Sequence, residues 1–140
     1  MTDRQRLVDQ LLHHEGLRLK PYMDTVGKLT IGVGRNLTDK GISHAEAMLF
    51  LDHDLDECVT DLAAFPWFAT LDPIRQRAIT DLRFNLGAKG FRGFKKLIAA
   101  MAIHEYIEAA KQLAKSKWST QVQSDRSSRL LHMLATGQDD

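Results

Sequence analysis

The strongest constraint on the fold is a short, glycine-punctuated block, residues 17–38, that lies between helical segments. Its glycines stand among threonine, valine, leucine and isoleucine, a mixture typical of short strands joined by tight turns. Within the block, apolar residues alternate with other residues over 28–33, which predicts one strand. Because the strands are grouped in one block and the helices lie outside it, we expect an α+β fold rather than an alternating α/β fold.

Helical segments flank this block on both sides. Residues 3–15 carry an apolar stripe that stops at Gly16, which predicts a first helix. The pattern Ser43-His44-Ala45-Glu46 is typical of a capping box, so we expect a long helix from there to about residue 64. Shorter helices are predicted further along the chain, at 74–86, 94–101, 104–115 and 125–135.

The chain length predicts one domain. Its 140 residues are enough to bury a core without a metal or disulfides, and the single cysteine, Cys58, allows no internal disulfide. We expect one domain over residues 1–140, with a small β-containing lobe at about 15–58 and a larger helical lobe made of 1–14 with 59–140. The long helix would join the two lobes, and a cleft between them would bind a ligand.

The net charge is only +1, but it is unevenly distributed. The first 70 residues carry 7 basic and 11 acidic side chains, and the last 70 carry 12 and 7. A basic second half suits an anionic partner such as a cell-wall or outer-membrane surface, or nucleic acid, although a solvated surface explains it equally well. No segment is long and apolar enough to span a bilayer, and no secretion signal is recognisable, so we expect synthesis in the cytoplasm.

Glu15 is the sharpest candidate for chemistry. It continues the apolar stripe of the first helix at its last turn, where partial burial and the negative end of the helix dipole should both favour a protonated carboxyl group. Such a group can act as a general acid. A helix-end glutamate that simply points into solvent is the common alternative, and the position alone favours that alternative.

Asp24 and Thr30 flank the turn expected inside the β block, so a hairpin would bring them near each other. A carboxylate beside a hydroxyl can hold and activate one water molecule. Glycoside hydrolysis needs such a base together with a general acid. Turn chemistry alone also explains an aspartate at this position.

The residues around this trio form one continuous pattern, which reads Glu15-Gly16-Leu17-Arg18-Leu19-Lys20 and then Tyr22-x-Asp24-Thr25-x-Gly27-x-x-Thr30-Ile31-Gly32-x-Gly34. The pattern resembles the active-site stretch of phage-type lysozymes, the family of the T-even phage endolysins, in the spacing of its Glu, Asp and Thr and in the surrounding glycines. The resemblance extends through Phe84-Asn85-Leu86-Gly87 and Trp118 to about residue 137. It therefore covers nearly the whole chain.

The resemblance implies roles for individual residues. Glu15 would be the general acid, and Asp24 with Thr30 would position the nucleophilic water. Arg126 falls near an arginine that pairs with the catalytic glutamate in the family, and such a pair would oppose the effect of burial on Glu15. Arg35 stands where relatives often have histidine, so a structural ion pair there would differ. The sugar-binding cleft would be lined by Gly34, Asn36, Phe84, Asn85, Leu97 and Gln112.

We therefore expect a bacteriolytic muramidase that inverts configuration as it hydrolyses β-1,4 bonds between N-acetylmuramic acid and N-acetylglucosamine in peptidoglycan. It would be a monomer without cofactor or metal, and it would not bind nucleic acid. It would act on the cell wall after release from the host cytoplasm with the help of a holin. Its basic second half, chiefly 89–96 and the final helix, could also contact an anionic outer-membrane or lipid surface.

Two alternatives stay open at this point. A lytic transglycosylase would use Glu15 as the acid and the hydroxyl of the sugar in place of water, so Asp24 and Thr30 would be idle. A cell-wall or membrane binder would need only the basic segments and no catalysis.

Other patterns in the chain are weak. The run Asp52-His53-Asp54-Leu55-Asp56 imitates the start of a calcium loop, but the required glycine and glutamate are replaced by Glu57 and Ala63. His13 and His14 are adjacent, so they point to different helix faces and cannot form a metal pair. Cys58 lies on the apolar side of the long helix, where we expect a buried, inert thiol.

Overall fold

The computed structural model describes residues 1–139, which form seven α-helices and one three-stranded antiparallel sheet with the strand order β1-β2-β3. The predicted α+β class is confirmed. The strands are β1 (Arg18–Met23), β2 (Leu29–Gly32) and β3 (Arg35–Asn36). The helices are α1 (Asp3–Glu15), α2 (His44–Leu62), α3 (Pro73–Arg92), α4 (Lys95–Ala102), α5 (Tyr106–Ala114), α6 (Lys117–Gln121) and α7 (Ser124–Thr136).

The chain divides into two compact units, Met1–Phe50 and a second unit that begins at Leu51, inside α2. The predicted division differs from this one, because it groups residues 1–14 with the helical lobe and ends the small lobe near residue 58. In the structure α1 belongs to the first unit, and its last residue, Glu15, lies against the turn between β2 and β3 of that unit. A single catalytic domain that spans both units stays a prediction.

The first unit is held by local hydrogen bonds more than by a core. Thr2 and Gln5 form a capping box that starts α1, with hydrogen bonds of 2.7 and 3.1 Å. None of the residues of α1 is buried, so its apolar stripe is more exposed than the periodicity predicted. In the sheet, Tyr22 of β1 and Asn36 of β3 both lie opposite Thr30 of β2. Thr30 is therefore the central residue of the sheet, and only 4% of it is exposed.

The second unit holds a continuous apolar core. α3 runs through it, and Ala78, Ile79 and Leu82 on its inner face are fully buried. The predicted break at Gly87 is confirmed, because this residue has a φ of +78° that interrupts α3, although helical geometry resumes until Arg92. The short α6 was not predicted, since five residues are too few for a periodic pattern. No helix among residues 1–139 has the length and apolarity needed to cross a membrane.

Candidate active site

Glu15 is the last residue of α1 and lies against the turn that joins β2 to β3. A Cβ atom added at Gly34 would come within 2.8 Å of the Glu15 carboxylate oxygen Oε2. The side chain of Glu15 is exposed, so the predicted partial burial is wrong. The physical reason is that Glu15 ends a helix with no buried residue and rests on a glycine, which offers no side chain to cover it.

Asp24 and Thr30 are joined through the main chain of Lys28. Oδ1 of Asp24 accepts hydrogen bonds from the backbone N–H groups of Val26 and Lys28, at 2.9 and 2.8 Å. The carbonyl of Lys28 accepts both the Asp24 N–H and the Thr30 hydroxyl, each at 2.9 Å. The hairpin thus holds both side chains against the backbone of Lys28, and Oδ2 of Asp24 accepts no hydrogen bond from residues 1–139.

The three catalytic candidates are arranged around β2. Asp24 lies in the turn before this four-residue strand, Glu15 contacts the turn after it, and Thr30 lies within it. The two carboxylates are therefore at opposite ends of one short strand. All three residues belong to the first unit, so their arrangement depends on α1 and the sheet alone.

Asn36, a predicted sugar contact, is engaged inside its own turn. Its Nδ2 donates to Oδ2 of Asp39 at 3.1 Å, and its Oδ1 accepts from the backbone N–H of Asp39 at 3.0 Å. These bonds fix the carboxamide next to β3. A role for Asn36 in binding sugar stays a prediction.

Arg35 and Glu46 form the structural ion pair of this unit. The guanidinium binds both carboxylate oxygens, at 2.8 and 2.6 Å, and also donates to the Gly41 carbonyl at 3.2 Å. The hydrogen bonds from Arg35 and from Ser43 lower the pKa of Glu46 to about 2. Ser43 and Glu46 also exchange the hydrogen bonds of the predicted capping box, which is confirmed. Glu46 therefore connects the turn after β3 to the start of α2.

The predicted sugar contacts of the second unit fall in separate grooves. Phe84 lines an apolar groove of about 670 Å³ together with Leu55 and Val59 of α2. Leu97 and Gln112 line another groove, of about 410 Å³, between α4 and α5. Leu97 is almost entirely buried in the core, with 1% exposed, whereas Gln112 reaches the surface and donates to Glu108 at 2.7 Å. Leu97 therefore forms part of the buried wall of this groove.

Asn85 has a structural partner that the sequence did not indicate. The indole N–H of the buried Trp118 donates to Oδ1 of Asn85 at 2.7 Å, and the two residues are 33 positions apart. The bond connects α3 to α6. No local pattern could have indicated it, because α6 is itself too short to predict.

Arg126 is engaged by Asp81 within the second unit. Its Nε donates to Oδ1 of Asp81 at 2.9 Å, and its Nη2 donates to the same oxygen. The sequence did not single out Asp81, since 45 residues separate the two partners. A pair between Arg126 and Glu15 stays a prediction.

The weak patterns gain no support. Among residues 1–139, no three His, Cys, Asp or Glu side chains are placed to hold a metal ion, and Asp52–Asp56 is part of the helix α2. Cys58 is buried as expected, and burial raises the pKa of its thiol, which makes it a poor nucleophile.

The chain is similar in sequence to several known proteins. The probable T4-type lysozymes 1 and 2 of Dictyostelium discoideum are 27% and 28% identical to the chain, over 92% and 94% of it and 93% and 94% of their own length. The pre-baseplate central spike protein Gp5 of Enterobacteria phage T4 is 28% identical over 94% of the chain but only 28% of its own length. The SAR-endolysin of Escherichia phage Mu is 32% identical over 75% of the chain and 62% of its own length. The family model of phage lysozymes matches residues 12–132, and the chain therefore belongs to the phage lysozyme family.

Proposed function

We propose that the chain hydrolyses the β-1,4 bond between N-acetylmuramic acid and N-acetylglucosamine in bacterial peptidoglycan. The observation that carries the proposal is the arrangement around β2, with a hairpin-held carboxylate before the strand, a hydroxyl within it and an exposed carboxylate against the turn after it. Family membership supports a glycoside hydrolase of the lysozyme kind. Glu15 protonates the glycosidic oxygen, and Asp24 with Thr30 directs a water molecule to the sugar.

Inversion of configuration is part of the proposal. An inverting glycosidase needs its two carboxyl groups about 6.5–9.5 Å apart, so that a water fits between the base and the sugar. Glu15 and Asp24 lie at the two ends of a strand, and this favours the wider spacing over the contact of about 5 Å used by retaining enzymes. Asp24 is also oriented by two backbone N–H groups, which suits a base that must hold a fixed position.

A role as an endolysin follows from the same proposal. One relative is named an endolysin, that of Escherichia phage Mu. We infer that this chain likewise degrades the wall of a bacterial host and lyses the cell, and that a holin gives it access to the wall. Turbidity of host cells that express the chain with and without a holin measures this dependence.

Substitution of Glu15 tests the catalytic assignment. Glu15→Gln keeps the size of the side chain but removes its acid, so clearing of purified peptidoglycan should slow at least about 100-fold. The matched control is Glu57→Gln, which changes an exposed glutamate of the second unit and should clear peptidoglycan at the wild-type rate. Clearing by Glu15→Gln as fast as by wild type would refute the assignment.

Analysis of the products separates the rival chemistries. Hydrolysis gives reducing N-acetylmuramic acid ends, and inversion gives the α-anomer first. A transglycosylase gives 1,6-anhydro ends by mass spectrometry and leaves no function for Asp24. Anhydro ends in the wild-type digest would overturn hydrolysis, and an initial β-anomer would overturn inversion.

A further inference from the structure

The hydroxyl of Thr38, in the turn after β3, binds the peptide unit that holds both candidates for positioning water. The carbonyl of this unit belongs to Lys28 and accepts the Asp24 N–H and the Thr30 hydroxyl, each at 2.9 Å. Its N–H belongs to Leu29 and donates to Oγ1 of Thr38 at 2.8 Å. Hydrogen bonds therefore engage both ends of one peptide unit, two at the carbonyl and one at the N–H.

A bond at the N–H end restrains the carbonyl end as well. A trans peptide unit is planar, and its carbonyl and N–H point in opposite directions. The unit can still rotate as a whole about the line that joins its two Cα atoms. Such a rotation would turn the N–H away from Thr38 and the carbonyl away from its two donors at the same time. Thr38 thereby fixes the direction of the carbonyl that holds Asp24 and Thr30.

The turn that carries Thr38 is itself tied to β2. The N–H of Leu37 donates to the carbonyl of Leu29 at 2.7 Å, which continues the pairing of Thr30 with Asn36 by one residue. Thr38 follows where the chain turns away, and its hydroxyl accepts the N–H that a longer β3 would bind with a backbone carbonyl. A backbone carbonyl would require no particular side chain, so this bond makes the identity of residue 38 important.

Asp39 makes a second contact from the same turn. Its Oδ1 accepts from Nζ of Lys28 at 3.3 Å, and its Oδ2 accepts from Nδ2 of Asn36 at 3.1 Å. The side chains of Lys28 and Asp39 are 38% and 57% exposed, and an ion pair so open to water contributes little. Asp39 also holds only the far end of a flexible side chain, whereas Thr38 binds the peptide unit itself. Thr38 is therefore the stronger constraint.

Loss of the Thr38 hydroxyl should affect the position of this peptide unit more than the stability of the fold. Thr38 and Leu29 are both exposed, so a water molecule can accept the Leu29 N–H in place of the hydroxyl. A mobile water satisfies the N–H but does not fix its direction. This difference separates a positioning residue from one that only supports the fold.

We propose that Thr38 is a positioning residue for the hydrolysis proposed above, and the inference rests on that function. Thr38 acts on the reaction through the peptide unit after Lys28, which holds Asp24 and Thr30 in the geometry that directs water to the sugar. Glu15 contacts the turn at the other end of β2, outside this network. Without the Thr38 hydroxyl, the attack of water therefore slows, while the binding of sugar does not change.

Two substitutions at Thr38 test the proposal with soluble peptidoglycan fragments as the substrate. Thr38→Val keeps the shape of the side chain but removes the acceptor, so kcat should fall about tenfold, because small displacements of reacting groups cost much of the rate. KM should stay within about twofold of wild type, since no contact to the sugar is lost. Thr38→Ser keeps a hydroxyl and should retain kcat within about twofold of wild type.

Thr120→Val is the matched control. Thr120 is an exposed threonine of the second unit, and its hydroxyl donates to the carbonyl of Lys117 at 2.9 Å, so the same change removes a similar bond. Its kcat should equal that of wild type. Asp39→Asn removes the weaker contact and should lower kcat less than about twofold. Urea midpoints of all these variants should lie within about 0.5 M of wild type, since each loses only one exposed interaction.

Amide hydrogen exchange, followed by NMR, reports on the peptide unit without any substrate. Thr38→Val should speed exchange at the N–H groups of Asp24 and Lys28, which close the turn around this unit, and Thr38→Ser should not. Unchanged exchange at these two amides would overturn the proposal, as would equal kcat for wild type and Thr38→Val or equally slow turnover by both Thr38 variants.

The outcomes also separate this proposal from its alternatives. A large drop in the urea midpoint of Thr38→Val, with faster exchange throughout the first unit, would show that Thr38 only supports the fold. A wild type that releases no reducing ends would refute the hydrolase, whereas the exchange measurement would still decide whether Thr38 fixes the peptide unit. Normal hydrolysis by Thr38→Val would refute the positioning role alone.

Discussion

The position of Glu15 depends on the absence of a side chain at Gly34. Gly34 has a φ of +67°, which L side chains rarely adopt, and the Glu15 carboxylate occupies the space where its Cβ would be. Glycine is therefore needed at position 34 for two reasons. The turn requires a positive φ, and the Glu15 carboxylate requires the space that a side chain would fill.

Gly34→Ala separates these two requirements. The positive φ should cost about 1–2 kcal/mol of unfolding free energy, and the new methyl group should also displace the Glu15 carboxylate. The control is Gly41→Ala, whose φ of +64° imposes the same backbone strain with no atom within 4 Å of the new Cβ. Urea unfolding should show similar losses for both, while peptidoglycan clearing should fall at least about tenfold further for Gly34→Ala. Equal activity of the two variants would contradict the contact.

At the scale of elements, the second unit is clamped by one carboxylate between α2 and α3. Asp61 near the end of α2 accepts from Arg83 at 2.7 Å and from Arg92 at 2.6 and 2.9 Å. Hydrogen bonds from Arg92 and then Arg83 lower the pKa of Asp61 to about 2. The Arg83 side chain is buried, with 6% exposed, so Asp61 is the partner that makes its burial tolerable.

Asp61→Asn should therefore cost more than a surface substitution. It leaves the buried Arg83 guanidinium without its main counter-charge, and we expect a loss of about 2–4 kcal/mol in unfolding free energy. Asp56→Asn, an exposed change on the same helix, should stay within about 0.5 kcal/mol of wild type. Urea denaturation at pH 7 measures both, and equal midpoints would show that the clamp adds no stability.

At the scale of the whole molecule, two carboxylates among residues 1–139, one in each unit, have a pKa lowered to about 2. These are Glu46, bound by Arg35 in the first unit, and Asp61 in the second, both with a pKa of about 2. Their ordinary values are 4.5 and 3.8. Below those values the unfolded chain takes up protons that the folded chain does not, so acid favours unfolding.

The chain should therefore be fully stabilised by these pairs above about pH 5 and should lose that stabilisation as the pH falls toward 2. Urea midpoints measured from pH 6 to pH 2 should decline over this window. The double variant Glu46→Gln/Asp61→Asn should start from a lower midpoint and decline less steeply. Parallel declines in wild type and variant would show that other groups control the acid response.

Local patterns predicted most of the elements correctly. Capping residues, apolar periodicity and glycines act over a few neighbouring positions. The start of α2 after Ser43 and the break at Gly87 could therefore be predicted from the sequence. The hairpin that joins Asp24 to Thr30 is local in the same sense. Periodicity could not decide between partial burial of Glu15 and the exposed alternative, because it says which residues share a face but not what covers that face, and Glu15 is exposed.

The sequence by itself determined the α+β class, the order of the elements apart from the short α6, and the candidate trio, because each of these depends on residues close together in the chain. Only the tertiary structure decided which polar and charged side chains pair with one another. Asp81 with Arg126, Asp61 with Arg83 and Asn85 with Trp118 meet across 22 to 45 positions, where no spacing rule applies.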